Sequence, residues 1–290
     1  MQTLLSLHAL VGLGALSLLA CSAAPAPAPP IEQAPTTAFV HVTVVPMDSE
    51  RLLPDQTVLV RGERIAALGA SASLPVPAGA RVIEGRGKYL MPGLAEMHAH
   101  LTREEDLALY LARGVTTVRN MWGTPMHLAW RERIAKGELL GPRIVTAGPI
   151  VDGDDPVHDG SLVVRSEAEA DRAVALHRQA GYDFLKVYSR LSAGAFERLL
   201  AEATRVGLPV AGHVPRAVGL ARAVDAGMRA IEHLNTFEEA LQADSSPVRG
   251  KWDADARERK MDFLDEAKIP AVVKQLHDKG TWICPTRNLL

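Results

Sequence analysis

The sequence predicts an α/β protein in which a (β/α)8 barrel of the TIM type follows a small β-sandwich domain, and three observations support this fold class. From residue 91 onward, short apolar runs alternate with segments of helical periodicity, as in a series of βα units. Between residues 38 and 90, short strand-like runs follow one another. Polar residues that can bind metal ions stand at the ends of several of the later apolar runs.

The first 21 residues are predicted to be a lipoprotein signal peptide. Their apolar stretch, residues 4–20, has about the length of a signal core and is too short to span a bilayer comfortably. It runs into Leu18-Leu19-Ala20-Cys21, which resembles a bacterial lipoprotein processing site with Cys21 as the lipidated residue. No Lys or Arg precedes Arg51, so an ordinary secretory signal in which Cys21 is incidental stays open as the alternative.

Residues 22–37 are rich in Ala and Pro, which predicts an extended tether. A lipid anchor followed by a tether predicts a protein of the bacterial cell envelope, held at the membrane on its periplasmic or extracellular side. The net charge is −2 and there is no basic patch, which argues against nucleic acid as a partner. Cys21 and Cys284 give no disulfide framework, and Cys284 is interpreted as a small buried thiol.

Residues 38–90 are predicted to form the β-sandwich domain. The sequence Arg61-Gly62-Glu63-Arg64 is typical of a hairpin turn between two strands. His41 lies in the first strand-like run and is interpreted as a sheet residue rather than a metal ligand. The predicted strands cover residues 39–45, 56–60, 65–69, 81–84 and 88–90.

Residues 91–290 are predicted to form the barrel. Gly114 and Gly280 each precede a strand-like run, and Ser166 and Ser192 each stand at the start of a helical pattern. The polar segment 242–260 is interpreted as an excursion of the loop after strand 6, over the mouth of the site. The predicted strands include residues 115–118, 143–147 and 281–286, and the predicted helices include residues 170–180 and 217–226.

Five side chains at strand ends are candidate metal ligands. His98 and His100 are two residues apart, so they share one face of a strand. Lys186 follows His98 after 88 residues, His213 follows Lys186 after 27, and His233 follows His213 after 20. Because a βα unit takes roughly 30 residues, the five fall on strands 1, 4, 5 and 6, at the carboxyl ends where barrel active sites lie. Each could singly be a buried or solvent-reaching side chain, but in register they predict a metal site, since neutral imidazole binds zinc well.

With these residues the chain resembles the amidohydrolase superfamily, and most nearly its imidazolonepropionase-like and prolidase-like branch. The resemblance runs from about Phe39 to the end of the chain. The run Met91-Pro92-Gly93-Leu94-Ala95-Glu96-Met97-His98-Ala99-His100 follows the family pattern Pro-Gly-Leu-x-Asp-x-His-x-His. Glu96 takes the Asp position of that pattern, a minor change because the residue there is not a usual ligand.

The resemblance implies a set of ligands and an activity. Lys186 would be carboxylated and would bridge two divalent metal ions, with zinc as the first expectation. His98 and His100 would bind one ion, and His213 and His233 the other. Such a centre implies a hydrolase that attacks amide, lactam or dipeptide carbon–nitrogen bonds with a metal-activated hydroxide, on a small-molecule or dipeptide substrate. Further candidates for substrate contact are Asn120, His127, His158 and Tyr188.

The family also uses an Asp at the end of strand 8, and this sequence offers no residue for it. The last strand-like segment, residues 281–286, is interpreted as strand 7, and the sequence stops at Leu290. We therefore expect a C-terminally truncated barrel without strand 8 and assign no catalytic residue. A short protein that completes its barrel in another way is the alternative structure. A non-catalytic or inactive fragment that serves as a binding lipoprotein is the alternative function, and an oligomer is left open.

Overall fold

The computed structural model describes residues 34–234 and 236–286. It contains two compact units that divide after Pro92. The predicted signal peptide, the predicted lipidation residue Cys21 and most of the predicted tether lie outside the described residues. Each unit is built around its own sheet structure.

The first unit contains a five-stranded mixed sheet. Its strands are β1 (Thr36–Val44), β2 (Leu53–Arg61), β3 (Arg64–Ala70), β4 (Arg81–Glu84) and β5 (Tyr89–Leu90). The order is β3-β2-β1-β4, and β5 also pairs with β1. Strand β2 runs antiparallel to both β1 and β3, whereas β4 and β5 run parallel to β1. Every second residue of β1 from Ala38 to Val44 is buried, so one face of this strand carries the apolar core.

This sheet departs from the sequence prediction in two respects. β1 begins at Thr36, inside the predicted tether, because the backbone of Thr36 pairs with Arg61 of β2. A sandwich requires two facing sheets, whereas the described part of residues 34–92 forms one, so the predicted sandwich is not confirmed. The hairpin between β2 and β3 is present. His41 lies in β1, with its Nδ1 2.7 Å from Asp55.

The second unit alternates strands with helices. Its strands are β6 (Leu94–Ala99), β7 (Val115–Asn120), β8 (Arg143–Thr146), β9 (Val151–Asp152), β10 (Leu162–Val163), β11 (Leu185–Val187), β12 (Val210–Gly212), β13 (Ala230–Glu232) and β14 (Trp282–Cys284). Its helices are α1 (Asp106–Ala112), α2 (Pro125–Ala135), α3 (Glu167–Ala180), α4 (Ala193–Arg205), α5 (Leu220–Asp225), α6 (Phe237–Ala240), α7 (Ala254–Arg259) and α8 (Ile269–Lys279), with 3₁₀ turns at Lys260–Phe263 and Glu266–Lys268. Among these described helices, none combines the length and the apolar character that crossing a bilayer requires.

The main strands of this unit are parallel neighbours in chain order. β6, β7 and β8 form one sheet, and β11, β12, β13 and β14 belong to a second sheet that β9 and β10 extend beside β11. A parallel bridge between Ala147 and Phe184 links the chain just after β8 to the chain just before β11. Strands 1 to 7 of the prediction are therefore β6, β7, β8, β11, β12, β13 and β14. The α/β class with parallel strands is confirmed, and the missing strand 8 stays a prediction because the description ends at Thr286.

The alternation of side chains along the strands separates the apolar core from the candidate site. Leu185 and Val187 of β11 belong to the main core, together with Phe196 and Leu199 of α4. Lys186 lies between them and faces the opposite side of the strand. Helix α4 has its apolar residues on one face, as its sequence predicts, and covers the outer side of the sheet.

The helix boundaries follow the predicted caps with one exception. Ser166 and Ser192 each accept a hydrogen bond from the backbone N–H three residues later and so cap α3 and α4. The helix predicted from residue 217 begins only at Leu220, because Gly219 adopts a φ of 79° that is incompatible with a helix. The segment 242–260, predicted as an irregular excursion, contains the short helix α7.

Candidate metal centre

The end of β6 carries two imidazoles that face each other. The Nε2 atoms of His98 and His100 are 3.3 Å apart. Two zinc–nitrogen bonds of about 2.0–2.1 Å at a tetrahedral angle span about 3.3 Å, so this pair fits a single zinc ion. The side chain of His98 is 3% exposed, whereas His100 is only partly covered by the protein.

His213 and His233 lie beside His98 and reach it from the ends of two other strands. They directly follow β12 and β13. The ring centre of His233 is 4.4 Å from that of His98 and 5.1 Å from that of His213. The Nε2 atom of His213 is buried and has no hydrogen-bond partner among the described residues. A buried nitrogen without a partner is uncommon, and a cation would satisfy it.

Lys186 completes the predicted set. It is 2% exposed, and its Nζ lies 5.7 Å from the centre of the Tyr188 ring. Burial lowers the pKa of Lys186 to about 8, with Glu232 opposing this shift and Arg119 adding to it. A lysine in this environment loses its proton far more readily than an exposed one, and only the neutral amine can react with carbon dioxide.

Three of the four imidazoles are oriented through their Nδ1 atoms. The Nδ1 contacts are Glu232 Oε2 at 2.7 Å for His98, Ser189 Oγ at 3.1 Å for His213, and Thr286 Oγ1 at 2.6 Å for His233. When an Nδ1–H donates to such an oxygen, the Nε2 atom keeps its lone pair for a cation. The hydrogen bonds therefore suit a cluster of Nε2 ligands.

The protein environment keeps three of the candidate rings neutral, those of His100, His213 and His233. Burial, followed by the charge of Lys186, lowers the pKa of His213 to about 2 and that of His100 to about 4. Burial also lowers the pKa of His233 to about 4, with His98 and Lys186 adding to the shift. Unprotonated imidazole is the form that binds metal ions, so these three rings suit a cation at neutral pH.

A buried ion pair adjoins the cluster. Glu232 is fully buried and accepts hydrogen bonds from His98 and from Arg119. Burial alone would raise the pKa of Glu232, but the hydrogen bond from His98 and the charge of Arg119 together hold it below its usual value. Arg119 also donates from Nε to the carbonyl oxygen of Met97, at 2.9 Å. Glu232 is therefore an ionised carboxylate whose two oxygens are both engaged.

A second group of potential ligands overlaps the first. Ligand atoms of His98, Glu232 and Cys284 lie within 4.8 Å of one another. This trio suits a cation less well, because Glu232 already pairs with Arg119. Burial also raises the pKa of the Cys284 thiol, which disfavours the thiolate that binds metals. Cys284 is half-buried rather than buried as the sequence predicted, since β14 has no described neighbour on its outer edge.

Two of the four residues predicted to contact substrate flank the cluster. The Tyr188 ring stacks on His213 with a centroid distance of 3.8 Å, and its hydroxyl lies 3.0 Å from Nε2 of His158. The ring of Trp122 lies 5.4 Å from that of His158 and 6.4 Å from that of His100. These aromatic rings form one wall of the site.

The other two predicted contact residues have structural roles, and their contact with a substrate stays a prediction. Asn120 is fully buried, accepts a hydrogen bond from the Leu101 N–H and donates to Trp122 and Thr146. His127 is 2% exposed, and its Nε2 lies 2.8 Å from the Leu101 carbonyl oxygen. Both side chains satisfy backbone groups next to β6 and β7.

An apolar cavity of about 580 Å³ in the second unit contains none of the five candidate ligands. Its lining includes Met97, Arg119, Ala211, Ala230 and Cys284. Arg119 is common to the wall of this cavity and to the ion pair with Glu232.

Sequence reasoning did not assign Arg119, Ser189 or Thr286 to the site. An arginine at the end of an apolar strand run is a signal for a buried ion pair, and Arg119 carried that signal. Ser189 and Thr286 carried none, because hydroxyl residues are common at strand ends. Their role depends on the neighbouring strand that each one meets.

Comparison with known proteins finds relatives over part of the chain. No protein-family model matches it. It is 36% identical over 73 residues to the adenine deaminase of Rubrobacter xylanophilus, a segment that is 25% of this chain and 12% of that protein. It is 35% identical over 72 residues to the imidazolonepropionase of Alkaliphilus metalliredigens, covering 22% of this chain and 17% of that protein.

A solved structure described as a prolidase from Bifidobacterium longum superposes with a TM-score of 0.62 at 28% sequence identity. The superposition covers 69% of this chain and 54% of that chain. The chain thus spans about half the length of this solved relative and less than a fifth of the two curated relatives.

Proposed function

Because the chain belongs to the amidohydrolase superfamily, we propose that the protein is a metal-dependent hydrolase of carbon–nitrogen bonds. Its substrates are small amides, lactams or dipeptides. The relatives that suggest this range are an adenine deaminase, an imidazolonepropionase and a prolidase. The loops that surround the site decide among these substrates.

The observation that carries the proposal is the convergence of four imidazoles from three strand ends. His98 and His100 have facing Nε2 atoms, and the buried Nε2 of His213 has no partner among the described residues. His233 completes the cluster. Leaving the buried Nε2 of His213 without a proton donor or a cation is unfavourable, and this supports a metal centre rather than an ordinary polar core.

Lys186 would join the two halves of this centre. Its lowered pKa makes the amine available, and reaction of that amine with carbon dioxide yields a carbamate and releases one proton. A carbamate is anionic and offers two oxygens, so it can bridge two cations. His98 and His100 would hold one ion, and His213 and His233 the other, with zinc as the first candidate for a histidine-rich site.

Two such ions, when bound, activate water and polarise the substrate carbonyl group. The chain's own residues position what surrounds them. The ring of Tyr188, which stacks on His213, and the ring of Trp122 limit the space in which a substrate can lie. Asp152 is fully buried and accepts hydrogen bonds from the N–H groups of Gly153 and Arg190, so it organises a loop.

Metal content tests the proposal directly. The full-length protein, loaded with zinc and freed of excess, should contain about two ions per chain by elemental analysis. His98→Ala should keep about one ion, because the His213 and His233 position remains. His41→Ala, a histidine of the first unit that contacts Asp55, is the matched control and should keep both. A wild-type content below about half an ion per chain would contradict the proposal.

The proposal also places the protein at a membrane through a lipid on Cys21. The full-length wild-type protein, expressed in a bacterium, should partition into detergent, and Cys21→Ser should move it to the aqueous phase because no lipid can be attached. Cys284→Ser is the control and should leave partitioning unchanged. A wild-type protein that stays in the aqueous phase would show that the lipoprotein interpretation is wrong.

A further inference from the structure

The hydrogen bonds at the Nδ1 atoms of the candidate ligands are not equivalent. His213 and His233 contact neutral hydroxyl oxygens, of Ser189 and Thr286. His98 instead contacts a carboxylate oxygen of Glu232, at 2.7 Å. A hydrogen bond to an ionised acceptor is roughly twice as strong as one between neutral groups, so the ring of His98 is held more firmly than the other two.

Glu232 is itself held in place from a distant part of the chain. It lies on β13, is fully buried, and forms an ion pair with Arg119 on β7. Arg119 in turn donates from Nε to the carbonyl oxygen of Met97, the residue before His98, at 2.9 Å. Its guanidinium group lies 5.6 Å from the centre of the Phe184 ring, which further restricts it. The pair thus fixes both the backbone and the ring of His98.

We propose that Arg119 and Glu232 act as a positioning pair that selects the Nδ1–H tautomer of His98 and aims its Nε2 atom at the space shared with His100. This inference rests on the proposed metal centre and deepens it. A carboxylate behind a histidine ligand fixes the orientation of the ring and raises its basicity as a ligand. The His98 and His100 position should therefore bind its ion more tightly than the His213 and His233 position.

The pair is buried for this positioning role rather than for stability. Removing two ionised groups from water carries a large cost, and a buried ion pair is often no more stabilising than apolar side chains of the same size. The cost is recovered only if both groups make further hydrogen bonds. Glu232 accepts a hydrogen bond from the candidate ligand His98, and Arg119 donates one to the carbonyl oxygen of Met97 beside it. The two bonds therefore hold the ring of His98 and the backbone next to it.

The test uses the full-length protein and two measurements. The first is the ¹⁵N chemical shift of both ring nitrogens of His98 in the metal-free protein, which reports the tautomer. The second is a zinc titration against a chromogenic chelator, which resolves the affinities of the two positions. Wild type should show a protonated Nδ1 in His98. Glu232→Gln should give a mixture of tautomers and weaken the tighter position about 10- to 100-fold, while the weaker position stays unchanged.

A second variant and a control separate positioning from folding. Arg119→Lys keeps the positive charge but cannot donate to Glu232 and to Met97 with one rigid group, so it should weaken the same position to an intermediate extent. Glu239→Gln is the matched control, since it removes the charge of another carboxylate that pairs with a buried cation, Lys260, and should alter neither the His98 tautomer nor the two affinities.

Three outcomes would count against one idea or the other. An unchanged tautomer and unchanged affinities in Glu232→Gln would overturn the positioning role while leaving the metal centre intact. An equal loss at both positions that Glu239→Gln reproduces would also overturn it, because the effect would then be general destabilisation. A wild-type protein that binds no zinc would overturn the proposed function itself.

Discussion

Replacing Lys186 with methionine should abolish hydrolysis and at the same time stabilise the metal-free protein. The bridging group of the proposed centre disappears, so the rate should fall by at least about 100- to 1,000-fold, the loss caused by removing one group that stabilises a transition state. The metal content should also fall. The loss of hydrolysis and the loss of metal share one cause, because methionine has a length similar to that of lysine but carries no amine and no charge.

The gain in stability follows from the pKa of Lys186. Folding lowers this pKa from 10.5 to about 8, so the folded state holds the proton less well than the unfolded state. The cost is fully present below pH 8 and disappears as the pH rises to 10.5 and both states lose the proton. It amounts to roughly 3 kcal/mol at pH 7. Methionine removes it, so the free energy of unfolding of the metal-free protein should rise at pH 7, and the gain should shrink towards pH 10.5.

Denaturant unfolding of the metal-free protein at several pH values, together with a hydrolysis assay, checks this prediction. Lys260→Met is the matched control, because Lys260 is also buried but pairs with Glu239 outside the metal cluster. It should leave the metal content unchanged and should destabilise the protein, since Glu239 loses its partner. A Lys186→Met variant that keeps both metal ions and full activity would refute the assigned role of Lys186.

Replacing Gly212 with alanine should unfold or severely weaken the second unit. Gly212 ends β12 with a φ of 127°, a conformation that side chains rarely adopt, and an added Cβ would overlap the carbonyl oxygen of Val187 on β11. That oxygen accepts the hydrogen bond from the N–H of His213, at 3.0 Å. Backbone strain of about 1–3 kcal/mol and overpacking of about 1–3 kcal/mol together predict a loss of about 2–6 kcal/mol.

The same change should disturb the metal site, because β11 carries Lys186 and β12 leads into His213. Gly194→Ala is the control. Its added Cβ would come no closer than 3.9 Å to another group, Glu167, and alanine favours a helix by up to about 1 kcal/mol over glycine. Thermal unfolding and zinc titration of both variants measure the two effects. Equal melting temperatures for Gly212→Ala and wild type would show that the strand end accommodates a side chain.

Local patterns in the sequence were sufficient for the parallel α/β class and for the grouping of candidate ligands. His98 and His100 share a strand face because side chains alternate with a period of two. The spacing of Lys186, His213 and His233 assigned them to three neighbouring strands. In the structure Lys186 is the middle residue of β11, and His213 and His233 directly follow β12 and β13. These properties depend on neighbours along the chain or on the regular repeat of βα units, both of which are visible in a linear sequence.

The first unit shows where local patterns stop being informative. Strand-like runs predicted its strands, but the number of sheets depends on how those strands pair, and the described residues form one sheet instead of two. In the second unit, Asn120 and His127 were predicted as candidates for substrate contact, and both form hydrogen bonds with backbone groups. A polar residue near a site and a polar residue that supports a turn have the same sequence signature.

The sequence by itself determined which side chains could bind a metal and at which end of the strands they stand. Only the tertiary structure decided how those side chains are oriented. Glu232 meets His98 across 134 residues of chain and meets Arg119 across 113, and His233 adopts a positive φ of 61° that nothing in its local sequence demands. The physical reason is that the alternation of side chains and the spacing of strands depend on residues close together in the chain. The partner of a buried charge depends instead on which side chains the packing of distant strands brings to within about 3 Å of it.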